Sequence, residues 1–503
     1  MNPRADSVPE RMRSRVLRGL AWKAASTVVL QLSRSVVALI LARLLTPEDW
    51  GLAAMVLVLA GLSVLFTDSA LGTALIQRRT ITEADRSTVF WTSLGIGALL
   101  AAGGIALSGL VARFYGEPDV RPLFAVLSVS FLVTSLAMTQ TALMIRELDF
   151  RRLEIRQMGA TVAGASVGIA VALDGHGAWA IVLQQLTTAL VGATLIWVLS
   201  SWRPKAQFSL ASLRSLGGFT GNLFAQNLLY QVGRSADKLL IGRYLGAAPL
   251  GAYALASTVM LAPFSQIAAP LQQVLFPAFA QMQDDRPRLA DVWIRVARLV
   301  GSVTIPASIG LIVVAPDFVT AVLGERWRDA TPVIQVLAGV GLIQSLQTLN
   351  GEILLALGRA GTLLHFTIVW FVASVGSIVI ALGFGLGIVG VAAAYAVAAA
   401  TVEPLNAYLT ARALGIRITR FVRAFSGAAQ AATVMGVLLL ALRSLSVVEG
   451  LGPGVRLLLS IVVGAAVYVP LCLWRSREIR EELAAIADAR RRRAESADAI
   501  SPA

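Results

Sequence analysis

The chain has 503 residues, of which 56% are hydrophobic and only 14% are charged, and its formal net charge is +14 at pH 7. So few charged side chains cannot cover a soluble protein of this length with a polar surface, which excludes a soluble enzyme and predicts a polytopic membrane protein. Basic loops on one side of a membrane explain the positive charge, so binding to nucleic acid is not needed to account for it.

Apolar stretches long enough to cross a bilayer occur about fourteen times along the chain. Their centres lie near residues 30, 62, 100, 133, 165, 188, 224, 263, 308, 344, 372, 399, 432 and 464. The predicted fold class is therefore all-α, with about 14 transmembrane helices. Basic residues are concentrated in alternate connecting segments, which places both termini in the cytoplasm. No small-residue cleavage pattern follows the arginines near the N-terminus, so we expect the first stretch to be retained rather than removed as a signal peptide.

The sequence repeats itself. One set of residues recurs 200 positions later: Gln31, Arg34, Ser35, Leu39, Arg43, Leu45 and Gly51 return as Gln231, Arg234, Ser235, Leu239, Arg243, Leu245 and Gly251. A second set recurs 210 positions later: Pro122, Val126, Leu127, Leu132, Ser135 and Leu136 return as Pro332, Val336, Leu337, Leu342, Ser345 and Leu346. The pattern indicates a duplicated unit of about 200 residues.

Each copy of the repeat contains six spans, so the second copy enters the membrane in the same orientation as the first. This predicts an N-terminal six-helix lobe over residues 1–205 and a C-terminal six-helix lobe over residues 206–415. Residues 416–475 then form two additional transmembrane helices, and residues 476–503 form a charged cytoplasmic tail.

Polar residues interrupt the first and seventh spans at helical spacing. They are Lys23, Thr27, Gln31 and Arg34 in the first span, and Asn227, Gln231, Arg234 and Lys238 in the seventh. Steps of three and four residues place each set along one face of a helix. If the two copies meet about a pseudo-two-fold axis, both polar stripes line one central cavity.

A cation near the centre of a bilayer costs about 2.5 to 3.5 kcal/mol, so Lys23, Arg34, Arg234 and Lys238 together would cost roughly 10 kcal/mol. A water-filled cavity that holds an anionic ligand offsets this cost. The alternative is that Asp68 and Asp237 pair with these cations and only hold helices together. For Lys23, near the cytoplasmic end, snorkelling to the headgroups explains the charge equally well.

Asp68, Asp237 and Glu403 are the acidic residues that the sequence places within spans. A carboxylate in such a position can carry a proton or bind Na⁺ during transport, or it can serve as an ion-pair partner. Both interpretations stay open. No other cofactor is expected, because Cys472 is the only cysteine and His176 and His365 are the only histidines, which leaves no thiolate or histidine metal cluster.

Two glycine patterns are interpreted as structural. Residues 385–390 match the GxGxxG dinucleotide pattern, but they lie between two apolar spans without the βαβ context that the motif requires. Gly175 and Gly177 align with Gly385 and Gly387 in the repeat, which predicts turn glycines. Gly164 and Gly168 predict close helix packing. A polar series in the tenth span, Gln344, Gln347 and Asn350, favours bonding between helices over recognition of a sugar.

Several segments resemble a known family. They are residues 41–51 (LARLLTPEDWG), 68–78 (DSALGTALIQR), 146–150 (RELDF), 237–242 (DKLLIG), 274–278 (VLFPA) and 324–327 (GERW). These segments are similar to the Wzx-type oligosaccharide flippases of the multidrug/oligosaccharidyl-lipid/polysaccharide (MOP) exporter superfamily. The resemblance covers roughly residues 15–420, and the last two spans and the tail are less diagnostic.

The resemblance implies two six-helix lobes around a central cavity in the bacterial inner membrane, working by alternating access. The implied cargo is a polyprenyl-diphosphate-linked oligosaccharide, flipped for the synthesis of O-antigen, capsule or exopolysaccharide, with polysaccharide polymerases and glycosyltransferases as partners. The diphosphate would be the anion opposite Arg34, Arg234 and Lys238. The family has no invariant catalytic motif to transfer, and no enzyme activity is expected.

Three other functions are alternatives to flipping. One alternative is a cation-coupled multidrug or small-molecule antiporter of the same superfamily. Such a protein favours an acidic or aromatic cavity, so Arg34 and Arg234 argue against it. A membrane-embedded glycosyltransferase or polymerase normally needs a sizeable catalytic loop, and no loop of this chain is long enough. A scaffold without transport activity would leave the duplicated charged face without a purpose.

Overall fold

The computed structural model describes residues 29–68, 72, 75–76, 78, 80–260, 275, 279, 281–476 and 478–481, and for residues 62–68, 215–230, 232 and 234 it describes the backbone alone. No β-strand occurs among these residues. The helices are α1 (29–44), α2 (Pro47–Asp68), α3 (Glu83–Tyr115), α4 (Val120–Arg146), α5 (Phe150–Leu173), α6 (Trp179–Leu199), α7 (Leu210–Leu245), α8 (Ala247–Met260), α9 (Arg286–Phe318), α10 (Thr331–Gln347), α11 (Asn350–Ala356), α12 (Ala360–Gly383), α13 (Gly387–Leu414), α14 (Ser426–Arg443) and α15 (Pro453–Arg475). Short helices cover Val319–Leu323, Glu325–Ala330, Ile418–Arg423 and Ser446–Glu449.

Ten helical segments of the described chain are long and apolar enough to cross a membrane. They coincide with the third to sixth and the ninth to fourteenth of the predicted spans, which confirms the all-helical membrane fold. Helices α1, α2, α7 and α8 occupy the other four positions, where residues or side chains are missing from the description. The total of fourteen spans, and the two lobes with their boundaries, stay predictions.

Equivalent residues of the two repeats adopt the same local structure. The Ser135 hydroxyl donates to the Leu132 carbonyl at 2.7 Å, and its counterpart Ser345 donates to the Leu342 carbonyl at 2.8 Å. The turn glycines agree as well. The φ angles of Gly175 and Gly177 are 81° and 54°, and those of Gly385 and Gly387 are 66° and 64°. Left-handed glycines in the hairpins α5–α6 and α12–α13 explain the GxGxxG match without a nucleotide.

The chain divides into two compact units. The first comprises Met1–Leu255 and Ile378–Ile388, and the second comprises Ala256–Ser377 and Val389–Ala503. The first unit therefore takes in α7 and the start of α8, which belong to the second repeat by sequence.

Small residues bring neighbouring helices of the first unit together. A Cβ on Gly164 would lie 2.8 Å from the Gln184 carbonyl oxygen, and one on Gly168 would lie 3.2 Å from the Ala180 carbonyl oxygen. The backbones of α5 and α6 thus approach closely at both glycines, as predicted for a small-residue pair. Gly97 plays the same part between α3 and α4, where a Cβ would lie 2.9 Å from the Phe131 carbonyl oxygen.

The linker between the repeats is hydrogen-bonded to the start of α3. The Trp202 indole Nε1 donates to Glu83 at 2.8 Å, and the Trp91 indole Nε1 donates to the Lys205 carbonyl at 2.8 Å. The Lys205 amide then donates to the Ser87 hydroxyl at 3.2 Å. These contacts hold residues 202–205 against the first repeat and so fix where α7 begins.

Two prolines inside α9 leave backbone carbonyls without their usual donors, and side chains of other helices replace those donors. Pro306 has no N–H to offer the Ser302 carbonyl, which accepts instead from the Tyr468 hydroxyl of α15 at 2.6 Å. Pro316 likewise leaves the Ile312 carbonyl free, and the Gln335 amide of α10 donates to it at 2.9 Å. The second unit can therefore keep a twice-interrupted helix in an apolar environment.

Candidate functional site

Helices α2 and α8 cross within the first unit at two glycines that are equivalent in the repeat. A Cβ on Gly51 would lie 1.8 Å from the Ala247 carbonyl oxygen, and a Cβ on Gly251 would lie 1.8 Å from the Pro47 carbonyl oxygen. No side chain fits at either position. The LTPEDWG segment that carries the family resemblance thus forms a backbone-to-backbone contact between the two repeats.

A capping box fixes the start of α2 at this crossing. The Asp49 carboxylate accepts from the Thr46 amide at 3.0 Å and from the Thr46 hydroxyl at 2.6 Å, while the Asp49 amide donates to the Thr46 hydroxyl at 3.1 Å. The turn glycine Gly177 packs on the same carboxylate, because a Cβ there would lie 2.2 Å from Asp49 Oδ1. The contacts of this loop are structural.

The first predicted polar stripe lies on α1. Lys23 is outside the described residues, Gln31 is half-buried and Arg34 is exposed. Within the part of the chain that the structure describes, Arg34 forms no ion pair.

The second predicted stripe lies on α7. Gln231 and Lys238 are half-buried, whereas the side chains of Asn227 and Arg234 are outside the description. A Cβ on Gly61 of α2 would lie 3.1 Å from the Gln231 amide nitrogen, so Gln231 is directed toward α2. The joining of the two stripes in one cavity stays a prediction.

The three acidic residues predicted within spans have different surroundings. The side chain of Asp68 is outside the description. Asp237 is half-buried, and its carboxylate accepts from the backbone amide of Lys238 at 2.8 Å. Glu403 on α13 is only 7% exposed, and no ion pair of the described residues involves it.

Glu403 has an unsatisfied polar neighbour on its own helix. Asn406 lies one turn further along α13, is 6% exposed, and has a buried side-chain oxygen without a hydrogen-bond donor. The intervening Pro404 removes another backbone N–H from this turn. Two buried oxygen acceptors this close in sequence can be satisfied by a proton or a small cation.

Asp317 is a further buried acidic residue, which the sequence did not single out. It lies one residue before the end of α9, is 1% exposed, and has its carboxylate 3.0 Å from the Arg443 guanidinium and 3.1 Å from that of Arg456. These two arginines belong to α14 and α15. The sequence shows this site only as a single acidic residue at the end of a span. Its two partners lie more than a hundred residues further along the chain.

The polar series of the tenth span bonds to other helices, as predicted. The Gln344 amide donates to the Tyr395 hydroxyl of α13 at 3.2 Å. The Asn350 side-chain oxygen accepts from the Trp293 indole of α9 at 3.0 Å, and its amide donates to Gln347. These side chains hold the second unit together.

Arg146, in the segment RELDF, also has a structural role. Its guanidinium donates to the carbonyls of Leu75 and Arg78, the former at 2.8 Å, and so holds the segment that follows α2 against the end of α4. The resemblance at these residues thus reflects packing inside the first unit.

Comparison with known proteins identifies the family. The family model described as polysaccharide biosynthesis protein matches residues 40–332. The lipopolysaccharide biosynthesis protein WzxC of Escherichia coli (strain K12) is 30% identical over 71% of this chain and 73% of its own length. The teichuronic acid biosynthesis protein TuaB of Bacillus subtilis (strain 168) is 27% identical over 69% of this chain and 72% of its own length.

The fold has a solved counterpart as well. The lipid II flippase MurJ, in an inward closed conformation, superposes with a TM-score of 0.75 at 14% identity, covering 90% of this chain and 98% of that one. The family match spans more than half of the chain, and both relatives align over about 70% of it. The chain therefore belongs to the polysaccharide biosynthesis protein family.

Proposed function

We propose that this protein flips a polyprenyl-diphosphate-linked oligosaccharide across the bacterial inner membrane by alternating access, as a step in surface polysaccharide synthesis. Family membership supports the proposal, as do the names of the two relatives, which refer to lipopolysaccharide and teichuronic acid. Both termini would lie in the cytoplasm. Polysaccharide polymerases and glycosyltransferases would be the partners that use and supply the cargo.

The observation that carries the cargo assignment is Arg34. This residue lies in an apolar segment, is exposed, and forms no ion pair among the described residues. A guanidinium in such a position is costly unless a counter-ion or water compensates it. A diphosphate is such a counter-ion, because guanidinium binds phosphate oxygens through paired hydrogen bonds.

The other members of the two stripes would complete the cavity. Lys23, Arg234 and Lys238 would add positive charge, and Gln31, Asn227 and Gln231 would hydrogen-bond the headgroup. Each copy of the repeat would then provide one half of the cavity.

The test is export of surface polysaccharide by cells whose only copy of the gene carries Arg34→Ala. We expect export to be lost while the protein still accumulates in the membrane, and we expect Arg34→Lys to restore part of it, since charge is kept but the paired hydrogen bonds are not. Arg113→Ala is the matched control, because Arg113 is also exposed and lies near the end of α3. Normal export by Arg34→Ala would reject the cargo site. A changed drug susceptibility with normal export would point instead to the antiporter alternative.

We also infer that Glu403 supplies ion coupling, by carrying a proton or binding Na⁺. Its burial and the donor-free oxygen of Asn406 support this assignment. A hydrophobic carbodiimide reacts with protonated carboxyl groups in apolar surroundings, so it should label Glu403 in membranes, and Na⁺ should protect the residue if Na⁺ binds there. Glu403→Gln should abolish this label. Labelling of the half-buried Glu352 in the same sample is the reference against which the labelling of Glu403 is compared. Absence of the label on Glu403 at every pH and Na⁺ concentration would exclude coupling through this residue.

A further inference from the structure

Two arginines share the carboxylate of Asp317, so this cluster of the second unit carries more positive than negative charge. Asp317 of α9 is 1% exposed, and its oxygens lie 3.0 Å from Arg443 of α14 and 3.1 Å from Arg456 of α15. In the part of the chain that the structure describes, neither arginine pairs with a second carboxylate. Glu449, the acidic residue between α14 and α15, is exposed and is also without an ion pair among the described residues. One positive charge of the cluster therefore has no counter-ion.

The hydrogen-bonding capacity of the two guanidinium groups is only partly used. The Asp317 oxygen that faces Arg443 accepts no hydrogen bond, so this contact is purely ionic. Arg443 donates to the Val313 carbonyl, whereas Nε of Arg456 is buried and has no acceptor. A guanidinium group carries several N–H donors, and a buried donor without an acceptor is costly. A second anion beside Asp317 would provide both the missing charge and the missing acceptors.

The cluster lies where the apolar surface of α14 and α15 gives way to their connecting segment. Arg443 is the last residue of α14, and Arg456 lies in the first turn of α15. Their side chains are 20% and 26% exposed, so a ligand can approach them from the surface. Leu440, one turn before Arg443, and Val455, next to Arg456, are both more than half exposed. Such a change from apolar to charged surface is expected at the boundary between acyl chains and headgroups.

From these observations we propose that Arg443 and Arg456 together bind the phosphodiester group of an anionic phospholipid, whose acyl chains lie against Leu440 and Val455. Guanidinium groups bind phosphate oxygens through paired hydrogen bonds. A phosphodiester carries a single negative charge, which equals the excess charge of the cluster. A diphosphate carries more, so the charge favours a phospholipid over the proposed cargo. The site does not depend on the flipping function.

The test is the binding of phosphatidylglycerol to the full chain, purified in detergent. Native mass spectrometry counts the bound lipids, and the thermal unfolding temperature measures how far they stabilise the protein. We expect one phosphatidylglycerol molecule to be retained more tightly than the rest and to raise the unfolding temperature. Diacylglycerol with the same acyl chains lacks the phosphate, and inorganic phosphate lacks the acyl chains. Neither of these two probes should raise the unfolding temperature to the same extent.

Two variants each remove one positive charge from the cluster. Arg456→Gln and Arg443→Gln both leave Asp317 with one arginine, so the buried carboxylate keeps a counter-ion. We expect each variant to bind phosphatidylglycerol several-fold more weakly than the wild type and to lose most of the lipid-dependent rise in unfolding temperature. Arg420→Gln is the matched control, because Arg420 also pairs with an aspartate, Asp291, but does not share it with another arginine. This control should bind the lipid like the wild type.

Wild-type affinity for phosphatidylglycerol in both glutamine variants would overturn the site, and if one variant fails to accumulate the other decides. Equal stabilisation by diacylglycerol would show that acyl chains alone bind, and equal stabilisation by inorganic phosphate would show a site for free anions. Either result would overturn the assignment to a phospholipid. A polyprenyl diphosphate that displaces phosphatidylglycerol at equal concentration would assign the cluster to the cargo instead. None of these measurements requires transport, so they are independent of the export test on Arg34→Ala.

Discussion

The buried carboxylate of Asp317 forms an ion pair with Arg443 at 3.0 Å, and Arg456 approaches the same carboxylate at 3.1 Å from another helix. This cluster connects α14 and α15, which lie outside the duplication, to the end of α9. Arg443 also donates to the Val313 carbonyl of α9. The two additional helices are thus fastened to the second unit by charge as well as by apolar packing.

Replacing the shared carboxylate should destabilise the second unit strongly. In Asp317→Asn two guanidinium groups lose their counter-ion, and their side chains are only 20% and 26% exposed. The loss should therefore lie between the about 0–1 kcal/mol of an exposed pair and the about 3–5 kcal/mol of a fully buried one. We expect a clearly lower thermal unfolding temperature of the protein in detergent.

Asp291→Asn is the control for this prediction. Its partner Arg420 lies at 2.7 Å, but both side chains are more than half exposed, and exposed pairs contribute about 0–1 kcal/mol. Equal unfolding temperatures of the two variants would show that the Asp317 cluster contributes no more than a surface pair.

Removing the hydroxyl of Tyr468 should leave the Ser302 carbonyl of α9 without a donor. An unsatisfied buried carbonyl costs about 1–3 kcal/mol, so we expect Tyr468→Phe to lower the unfolding temperature. Tyr408→Phe serves for comparison, because that side chain is exposed. Gln335→Leu should resemble Tyr468→Phe, since it removes the donor to Ile312.

The linker between the repeats should become a protease site when its indole anchor is removed. Trp202→Phe keeps an aromatic ring but loses the hydrogen bond to Glu83, which contributes about 1 kcal/mol. We expect several-fold faster tryptic cleavage after Lys205. Trp474→Phe, far along the chain and exposed, should leave the cleavage rate unchanged. Equal cleavage rates in both variants would contradict the prediction, because they would show that the remaining hydrogen bonds protect the linker without the Trp202 indole.

The left-handed turn glycines should tolerate substitution less well than glycines inside helices. Gly385→Ala places a Cβ at φ 66°, a conformation that costs L-residues about 1–2 kcal/mol. Gly376→Ala lies in the interior of α12 with open space around its Cβ position, and should stabilise the helix by about 1 kcal/mol. Opposite shifts in unfolding temperature are therefore expected from the same chemical change.

The fold was largely predictable because its strongest signals are local or repeated. Apolar length identified the helices, and the alignment of Gly175 with Gly385 identified paired turns that the structure confirms. Helix packing at Gly164 also followed from spacing alone.

Contacts between distant residues were not predictable in the same way. Nothing near Asp317 in the sequence points to Arg443 or Arg456, and Tyr468 lies 166 residues from the carbonyl that it satisfies. The candidate cargo site has the same limit. Spacing placed Arg34 on one face of a helix. Which side chains lie across from Arg34 depends on how the helices pack, and the periodicity of the sequence does not encode that packing.

The reciprocal contact of Gly51 with Ala247 and of Gly251 with Pro47 is the pattern of an isologous interface, in which residue i of one copy meets residue j of the other and j meets i. In such an interface a single ancestral glycine would have contacted the partner subunit of a symmetric homodimer. In this chain the repeat provides two positions, Gly51 and Gly251, that can vary separately. Each half can now change its share of the contact, which a dimer of identical chains could not do.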